Sequence, residues 1–281
     1  FLTALLMAYE PMKRLATLNA SMQQGLASAE RLYQLLDQKP RITDKIGVKD
    51  LGKVSGDIEL QTVSFSYDDN IDAVTDVSIR VQAGKTVALV GPSGAGKSTL
   101  LNVISGIDKP DQGQVVVNGI DLTALSEREL TLFRREHIGF IYQFFNLIPT
   151  LTARENIALV LELNGYSPTA IREISQTMLA AVDLSQAADR FPDRMSGGEQ
   201  QRVAIARALA HSPGLVLADE LTGTLDAETG QLVLKLLQKL VSDQGGTLLL
   251  VTHSLAVAKT ADRVLTLEDG QLAEQEGSFA W

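Results

Sequence analysis

Nine consecutive residues, Gly91-Pro92-Ser93-Gly94-Ala95-Gly96-Lys97-Ser98-Thr99, carry the spacing G-x-x-x-x-G-K-[ST]. Glycines suit this spacing because the backbone must turn tightly enough to aim successive N–H groups at phosphate oxygens. A Cβ at Gly94 or Gly96 is expected to obstruct that approach. Lys97 brings a positive charge for β- and γ-phosphates, and Ser98 a hydroxyl for Mg²⁺. A second pair, Asp219-Glu220, directly follows the apolar run Leu215-Val216-Leu217-Ala218. An aspartate there can hold Mg²⁺ through water beside Ser98, and the following glutamate is placed to polarise an attacking water. A third group, Met195-Ser196-Gly197-Gly198-Glu199-Gln200-Gln201-Arg202, is a glycine-bearing turn that opens a helix, hence a second potential phosphate site.

These groups need elements to carry them. Val87-Ala88-Leu89-Val90 reads as a buried strand feeding the glycine loop, and Leu100-Leu101-Asn102-Val103-Ile104 as the helix that leaves it, so the helix dipole adds to the phosphate site. Before them, Asp57-Ile58-Glu59-Leu60, Val63-Ser64-Phe65-Ser66-Tyr67 and Asp76 to Val81 alternate as strands do. Gly113 to Gly119 is a strand closing on an Asn-Gly turn, so this first part is expected to mix short strands with one helix. Residues 152–184 carry helical periodicity instead, which implies a helical subdomain inserted into an α/β core. The core resumes with the runs Gly214 to Ala218 and Thr247 to Thr252, typical of strands buried on both faces, and ends as a hairpin around Glu268-Asp269.

The N-terminal region differs. Phe1 to Tyr9 is apolar on every face and is followed by Glu10-Pro11 and Lys13-Arg14, as at the end of a transmembrane helix entering the cytoplasm. Apolar residues at Leu15, Leu18, Met22, Leu26, Ala29, Leu32 and Leu36 continue it as one long amphipathic helix to residue 40. Residues 41–56 have a linker's composition. Phe1 in place of an initiator Met reads as the start of a piece taken from something longer. A formal charge of −9 argues against a nucleic-acid partner. With no cysteine, and with His137, His211 and His253 at no metal-ligand spacing, neither disulfides nor a thiolate or histidine metal site is expected.

With the Ser-Gly-Gly-x-Gln stretch in place, the chain resembles the nucleotide-binding domains of ABC transporters, for which that stretch is the signature sequence. The resemblance covers residues 57 to about 275, with the expected motifs in the expected order. It implies a P-loop NTPase core of ABC type over 57–277, with an antiparallel β subdomain and a helical subdomain at about 144–200. By the same resemblance Tyr67 is the A-loop aromatic that stacks on adenine, and Gly91 to Thr99 the Walker A loop. Gln143, in Tyr142-Gln143-Phe144, is the Q-loop glutamine that touches Mg²⁺ and the attacking water. Asp219 is the Walker B aspartate, Glu220 the catalytic glutamate, Leu225-Asp226 the D-loop and His253 the switch histidine at the γ-phosphate. The implied cofactors are ATP and Mg²⁺.

The implied partners are a second ABC ATPase domain, most simply an identical chain, and a fused or separate transmembrane domain at the cytoplasmic face of the cell membrane. Paired head to tail, ATP at Lys97 of one copy would be capped by Ser196, Gly197, Gly198 and Gln200 of the other. The implied function is an ATPase powering export of a lipid, lipoprotein or drug-like substrate. A soluble ABC ATPase uncoupled from transport, and a degenerate ATP-binding clamp, stand as alternatives. Residues 1 to about 67 are similar to the end of the sixth transmembrane helix and the linker of lipid-flippase and multidrug exporters. From about residue 84 the wording is similar to lipoprotein-release and macrolide-export ATPases, which raises a hybrid origin. Relatives read D-E-P-T-G-N-L-D where this chain has Asp219-Glu220-Leu221-Thr222-Gly223-Thr224-Leu225-Asp226.

Overall fold

The computed structural model describes residues 56–68 and 71–274, together with residues 18, 22–26, 28–30 and 33. The chain divides into two compact units, residues 1–50 and 51–281. Every described residue of the first unit is helical, and Leu18, Met22, Leu26 and Tyr33 are exposed there. The expected end of a transmembrane helix, and all of the expected linker but Gly56, lie outside the described residues. Among the described residues no helix is long and apolar enough to cross a membrane.

The second unit runs β1 (Ile58–Asp68), β2 (Ile71–Val81), β3 (Thr86–Val90), α1 (Lys97–Ser105), β4 (Gln112–Val117), β5 (Ile120–Asp121), α2 (Glu127–His137) and β6 (Ile138–Ile141). It continues through α3 (Ala153–Leu163), α4 (Pro168–Ala181), α5 (Gly197–Leu209), β7 (Leu215–Asp219), α6 (Ala227–Asp243), β8 (Thr247–Val251), α7 (Leu255–Ala258), β9 (Arg263–Glu268) and β10 (Gln271–Glu274). Two sheets result. One is antiparallel, in the order β2-β1-β4-β5; the other has the order β10-β9-β3-β8-β7-β6 and is parallel except for β10.

Alternation along the parallel strands separates two cores. Val87, Leu89, Leu215, Leu217, Leu249 and Val251 join Leu100, Leu101 and Ile104 of α1 and the antiparallel sheet in one cluster. Their neighbours Ala88, Val90, Val216, Ala218, Leu248 and Leu250 pack in another with Ile205 of α5 and Val233, Leu234 and Leu237 of α6. Because successive side chains point to opposite faces, a strand covered on both sides must be apolar throughout, which is why β7 and β8 read as unbroken runs. A third cluster joins Ile157 and Leu161 of α3, Leu179 of α4 and Val203 and Ala206 of α5.

Up to β5 the domain mixes short strands with one helix, as expected; beyond it lies α2, for which the sequence reading gave no element. The missed helix had a signal. Ser126 accepts from the Glu129 amide while the Glu129 carboxylate accepts from the Ser126 amide, a reciprocal cap spelled S-x-x-E in the sequence. Parallel order then places the chemistry: β3, β8 and β7 are adjacent, so the loops leaving their carboxyl ends lie side by side.

Candidate functional site

Gly91 to Gly96 form the turn between β3 and α1. At Gly96, φ is 92°, and a Cβ built there would lie 2.1 Å from the Ala73 carbonyl oxygen of β2. At Gly91 it would lie 2.0 Å from the Leu267 carbonyl oxygen. At Gly94, with φ 84°, it would meet no protein atom within 4 Å. The expectation of a Cβ that blocks phosphate therefore needs correcting at Gly96, where the obstacle is the protein's own β2 backbone. Gly94 faces open space, so there the glycine answers to φ and to whatever enters that space.

The helix leaving this turn has Gly96 as its N-cap, with no side chain satisfying the first amides. Such an end is suited to an anion. Lys97, 5% exposed, folds back so that its Nζ donates to the Gly91 and Pro92 carbonyls at 2.9 and 2.7 Å. Burial lowers its pKa, and the charges of Glu220 and Asp219 work against that. Tyr67, at the end of β1 and 61% exposed, puts its hydroxyl 3.4 Å from Thr99 Oγ1 and 3.4 Å from Asp108 Oδ2. Its ring thus stands at the rim of the turn, edge-on to Phe65.

Opposite the turn, Asp219 ends β7. Burial pushes its carboxyl up, and a hydrogen bond from the Ser98 hydroxyl pulls it down. Its Oδ1 is buried without a hydrogen-bond partner among the described residues, so the carboxylate retains an acceptor site. Glu220 has φ 45°, a left-handed conformation that is costly outside glycine. Its amide donates to the Val251 carbonyl of β8 at 3.0 Å, which fixes that turn. The result is a carboxylate gripped from both sides: Gln143 Nε2 donates to Oε2 at 2.9 Å, and His253 Nε2 lies 2.5 Å from Oε1. Gln143 follows β6 and His253 follows β8, so three strand ends meet on one acid.

Two cavities flank this acid. One, of about 440 Å³, is lined by Val90, Gly91, Pro92, His253 and Leu255. The other, of about 580 Å³, includes Glu220, Thr222, Leu225, Asp226 and His253 in its walls.

A glycine turn over an uncapped helix, with an acid-ended strand beside it, is the arrangement of a nucleotide phosphate site, and the sequence comparison is specific about which kind. The model of the ABC transporter family, described as "ABC transporter", matches residues 74–223. The chain belongs to the ABC transporter family. It is an ATP-binding, ATP-hydrolysing protein of that family, and its fold is the ABC ATPase fold of the P-loop class. The lipoprotein-releasing system ATP-binding protein LolD of Zymomonas mobilis is 41% identical over 217 residues, 77% of this chain and 94% of that one. The methionine import ATP-binding protein MetN 1 of Listeria monocytogenes is 45% identical over 222 residues, 78% of this chain and 65% of that one. The dimeric post-hydrolysis structure of the ATP-binding cassette MJ0796 of Methanocaldococcus jannaschii, bound to ADP and Pi, superimposes with a TM-score of 0.71. It is 39% identical, and the match covers 79% of this chain and all of that one. These matches lend no support to a hybrid origin.

The residues singled out as the signature make their described contacts away from the phosphate turn. No hydrogen bond among the described residues joins Ser196, Gly197 or Gly198 to Gly91–Thr99. Ser196 caps α5, its hydroxyl accepting from the Glu199 amide at 3.3 Å, and the Ser196 amide donates to the Glu199 carboxylate at 2.8 Å. Arg190 steadies Glu199 at 2.8 Å, and Gln200 folds its amide onto the Met195 carbonyl. Of the residues singled out in the sequence, the structure brings together Tyr67, Gly91 to Thr99, Gln143, Asp219, Glu220 and His253; it leaves Ser196, Gly197, Gly198 and Gln200 elsewhere.

Three supporting residues escaped the sequence reading. Asn102 of α1 donates to Asp108 at 3.0 Å, fixing the acid that faces Tyr67. Asn156, fully buried, accepts from the Ile148 amide and donates to the carbonyls of Ile148, Leu151 and Thr152, pinning the loop before α3. Arg207 of α5 donates to the carbonyls of Phe145 and Asn146. Only Arg207 had a visible signal, as the one charge in the run Val203-Ala204-Ile205-Ala206-Arg207-Ala208-Leu209.

Proposed function

We propose that this chain powers export of a lipid, lipoprotein or drug-like substrate from the cytoplasmic face of the cell membrane, pairing head to tail with a second copy and acting on a transmembrane partner. The observation that carries the hydrolytic part is the Glu220 carboxylate, aligned by Gln143 on one oxygen and His253 on the other. In this reading Gly91 to Thr99 cradle the phosphates, Lys97 leaves its two carbonyls for the β- and γ-phosphate oxygens, and Tyr67 stacks on adenine. Glu220 accepts a proton from the attacking water, and His253 donates to the γ-phosphate. Ser98, Asp219 and Gln143 would hold Mg²⁺; an Asp219 carboxylate that meets the Ser98 hydroxyl and keeps Oδ1 unpartnered suits a hard cation with oxygen ligands. Bound there, the ion neutralises charge on the phosphates.

Pairing is supported by the placement of Ser196, Gly197 and Gly198 away from the chain's own phosphate turn, and by the dimeric state of the MJ0796 cassette in its ADP and Pi complex. A partner's helix N-terminus would supply the N–H groups that complete the site. Glu220→Gln is expected to reduce phosphate release by about 10²–10⁴-fold, as loss of a general base does. ATP-dependent dimers should persist in gel filtration. Turnover within a few-fold of the parent would remove Glu220 from its role.

Export follows the likeness to LolD; import is the second reading, favoured by the likeness to MetN. Inside-out vesicles holding the membrane partner separate them. ATP-driven accumulation of a labelled lipoprotein supports export, and ATP-driven loss of preloaded methionine supports import.

A further inference from the structure

Phe145 and Asn146 have φ of 51° and 48°, two consecutive left-handed residues that are not glycine. Such residues are strained and persist only when their surroundings over-determine them. One side chain holds both carbonyls of this twist. Arg207 of α5 donates through Nη2 to the Phe145 carbonyl at 3.0 Å and through Nη1 to the Asn146 carbonyl at 2.6 Å. A planar guanidinium spans two adjacent carbonyls as a fork, which a lysine ammonium cannot reproduce.

The twist sends two neighbouring rings in different directions. Phe144 is 70% exposed, whereas Phe145 is partly buried and turned toward the signature. A Cβ built on Gly197 would lie 3.7 Å from Phe145 Cζ and 3.6 Å from Leu225 Cδ2, so the ring and the D-loop leucine rest against one face of the first signature glycine. The contacts close on the catalytic acid from both ends. Gln143, two residues before Phe145, holds Glu220 Oε2; Leu225 shares with Glu220 a turn in which the Gly223 amide donates to the Glu220 carbonyl and the Leu225 amide to Thr222.

We infer that Phe145, aimed by Arg207, is a positioning residue that holds the Gln143 loop, Gly197 and the Leu225 turn in one arrangement. Presentation of the signature to a partner and placement of Glu220 then change together. This rests on the pairing reading above. Spatial contiguity becomes coupling only if perturbing one end moves the other, so the test must read both.

Phe145→Ala, Phe145→Leu, Arg207→Lys and the Phe145→Ala/Arg207→Lys double variant are compared with the parent chain by ATP titration, phosphate-release kinetics and amide hydrogen exchange without nucleotide. Phe145→Ala is expected to lower kcat by about tenfold or more while the ATP Kd moves less than about twofold. Exchange should rise at residues 195–199 and 222–226 as well as in the Gln143 loop. Phe145→Leu should recover most of kcat. Arg207→Lys should resemble Phe145→Ala, and the double variant should be no worse than Phe145→Ala alone, since both act through one ring. A kcat within about twofold of the parent in Phe145→Ala, unchanged exchange at 195–199 and 222–226, or multiplicative losses in the double variant would each overturn the inference. A parent that neither turns over nor pairs would overturn the proposed function instead; the exchange measurement, made without nucleotide, still decides the role of Phe145.

Discussion

Alanine at Gly94 and at Gly96 should fail for different reasons, and the structure sets the sizes. At Gly96 the new Cβ would lie 2.1 Å from the Ala73 carbonyl oxygen, about 0.9 Å inside the 3.0 Å that real Cβ atoms keep. Either β2 or the turn must move. Overpacking of that kind costs about 1–3 kcal/mol, and holding alanine at a φ of 92° about 1–3 more. At Gly94 only the conformational part applies, because no protein atom lies within 4 Å. For a domain of this size each kcal/mol moves the melting temperature by about 2–4 °C, so Gly96→Ala should melt about 2–12 °C below Gly94→Ala without nucleotide. ATP reverses the emphasis. A ligand at about a hundred times its Kd stabilises by about 2.7 kcal/mol, and the parent should show that shift. Gly94→Ala, with a methyl in the space above the turn, should show little of it. The assay is thermal unfolding by circular dichroism, with and without Mg-ATP. Equal melting of the two variants would refute the packing account of Gly96. A full ATP shift in Gly94→Ala would refute the assignment of that open space to phosphate.

Other perturbations test the supports of the site. Asn156→Ala removes four buried hydrogen bonds and should cost about 3–5 kcal/mol in urea unfolding, leaving residues 148–152 more open to proteolysis. Leu221, 4% exposed in the core beside α6, should lose about 2–5 kcal/mol as Leu221→Ala, with turnover falling as the left-handed Glu220 next to it loosens. Buried His211 has its pKa pushed down to about 4 by desolvation. The unfolded chain, with an ordinary histidine pKa near 6.5, therefore binds the extra proton first. His211's contribution is fully present above about pH 6.5 and is lost as pH falls toward 4, amounting to about 3 kcal/mol. Unfolding free energies measured from pH 7 to 4.5 should fall less steeply in His211→Phe than in the parent.

The glycine spacing, the lysine and the acid-ended apolar run were legible because each is a local pattern with a local physical reason. A turn at positive φ needs glycine, a strand covered on both faces must be apolar, and a helix start leaves amides free. The hairpin at Glu268-Asp269 and the helical stretch after residue 152 were legible for the same reason. Helix α2 was equally visible in its S-x-x-E cap. Nothing local announced that Gly96 meets Ala73 or that Arg207 holds the Phe145 carbonyl, since those partners are 23 and 62 residues apart.

By itself the sequence determined the chemistry: which residues can cradle phosphate, accept a proton and open a second helix N-terminus. It also determined the family, because several motifs in fixed order constrain far more than any one. Only the tertiary structure decided which groups share a site. Parallel pairing of β3, β8 and β7 sets the phosphate turn, Glu220 and His253 side by side, while Ser196 is spent on capping α5. The physical reason is that strand order and helix packing are set by burial summed over the whole chain, and burial leaves no local mark of which strand lies beside which.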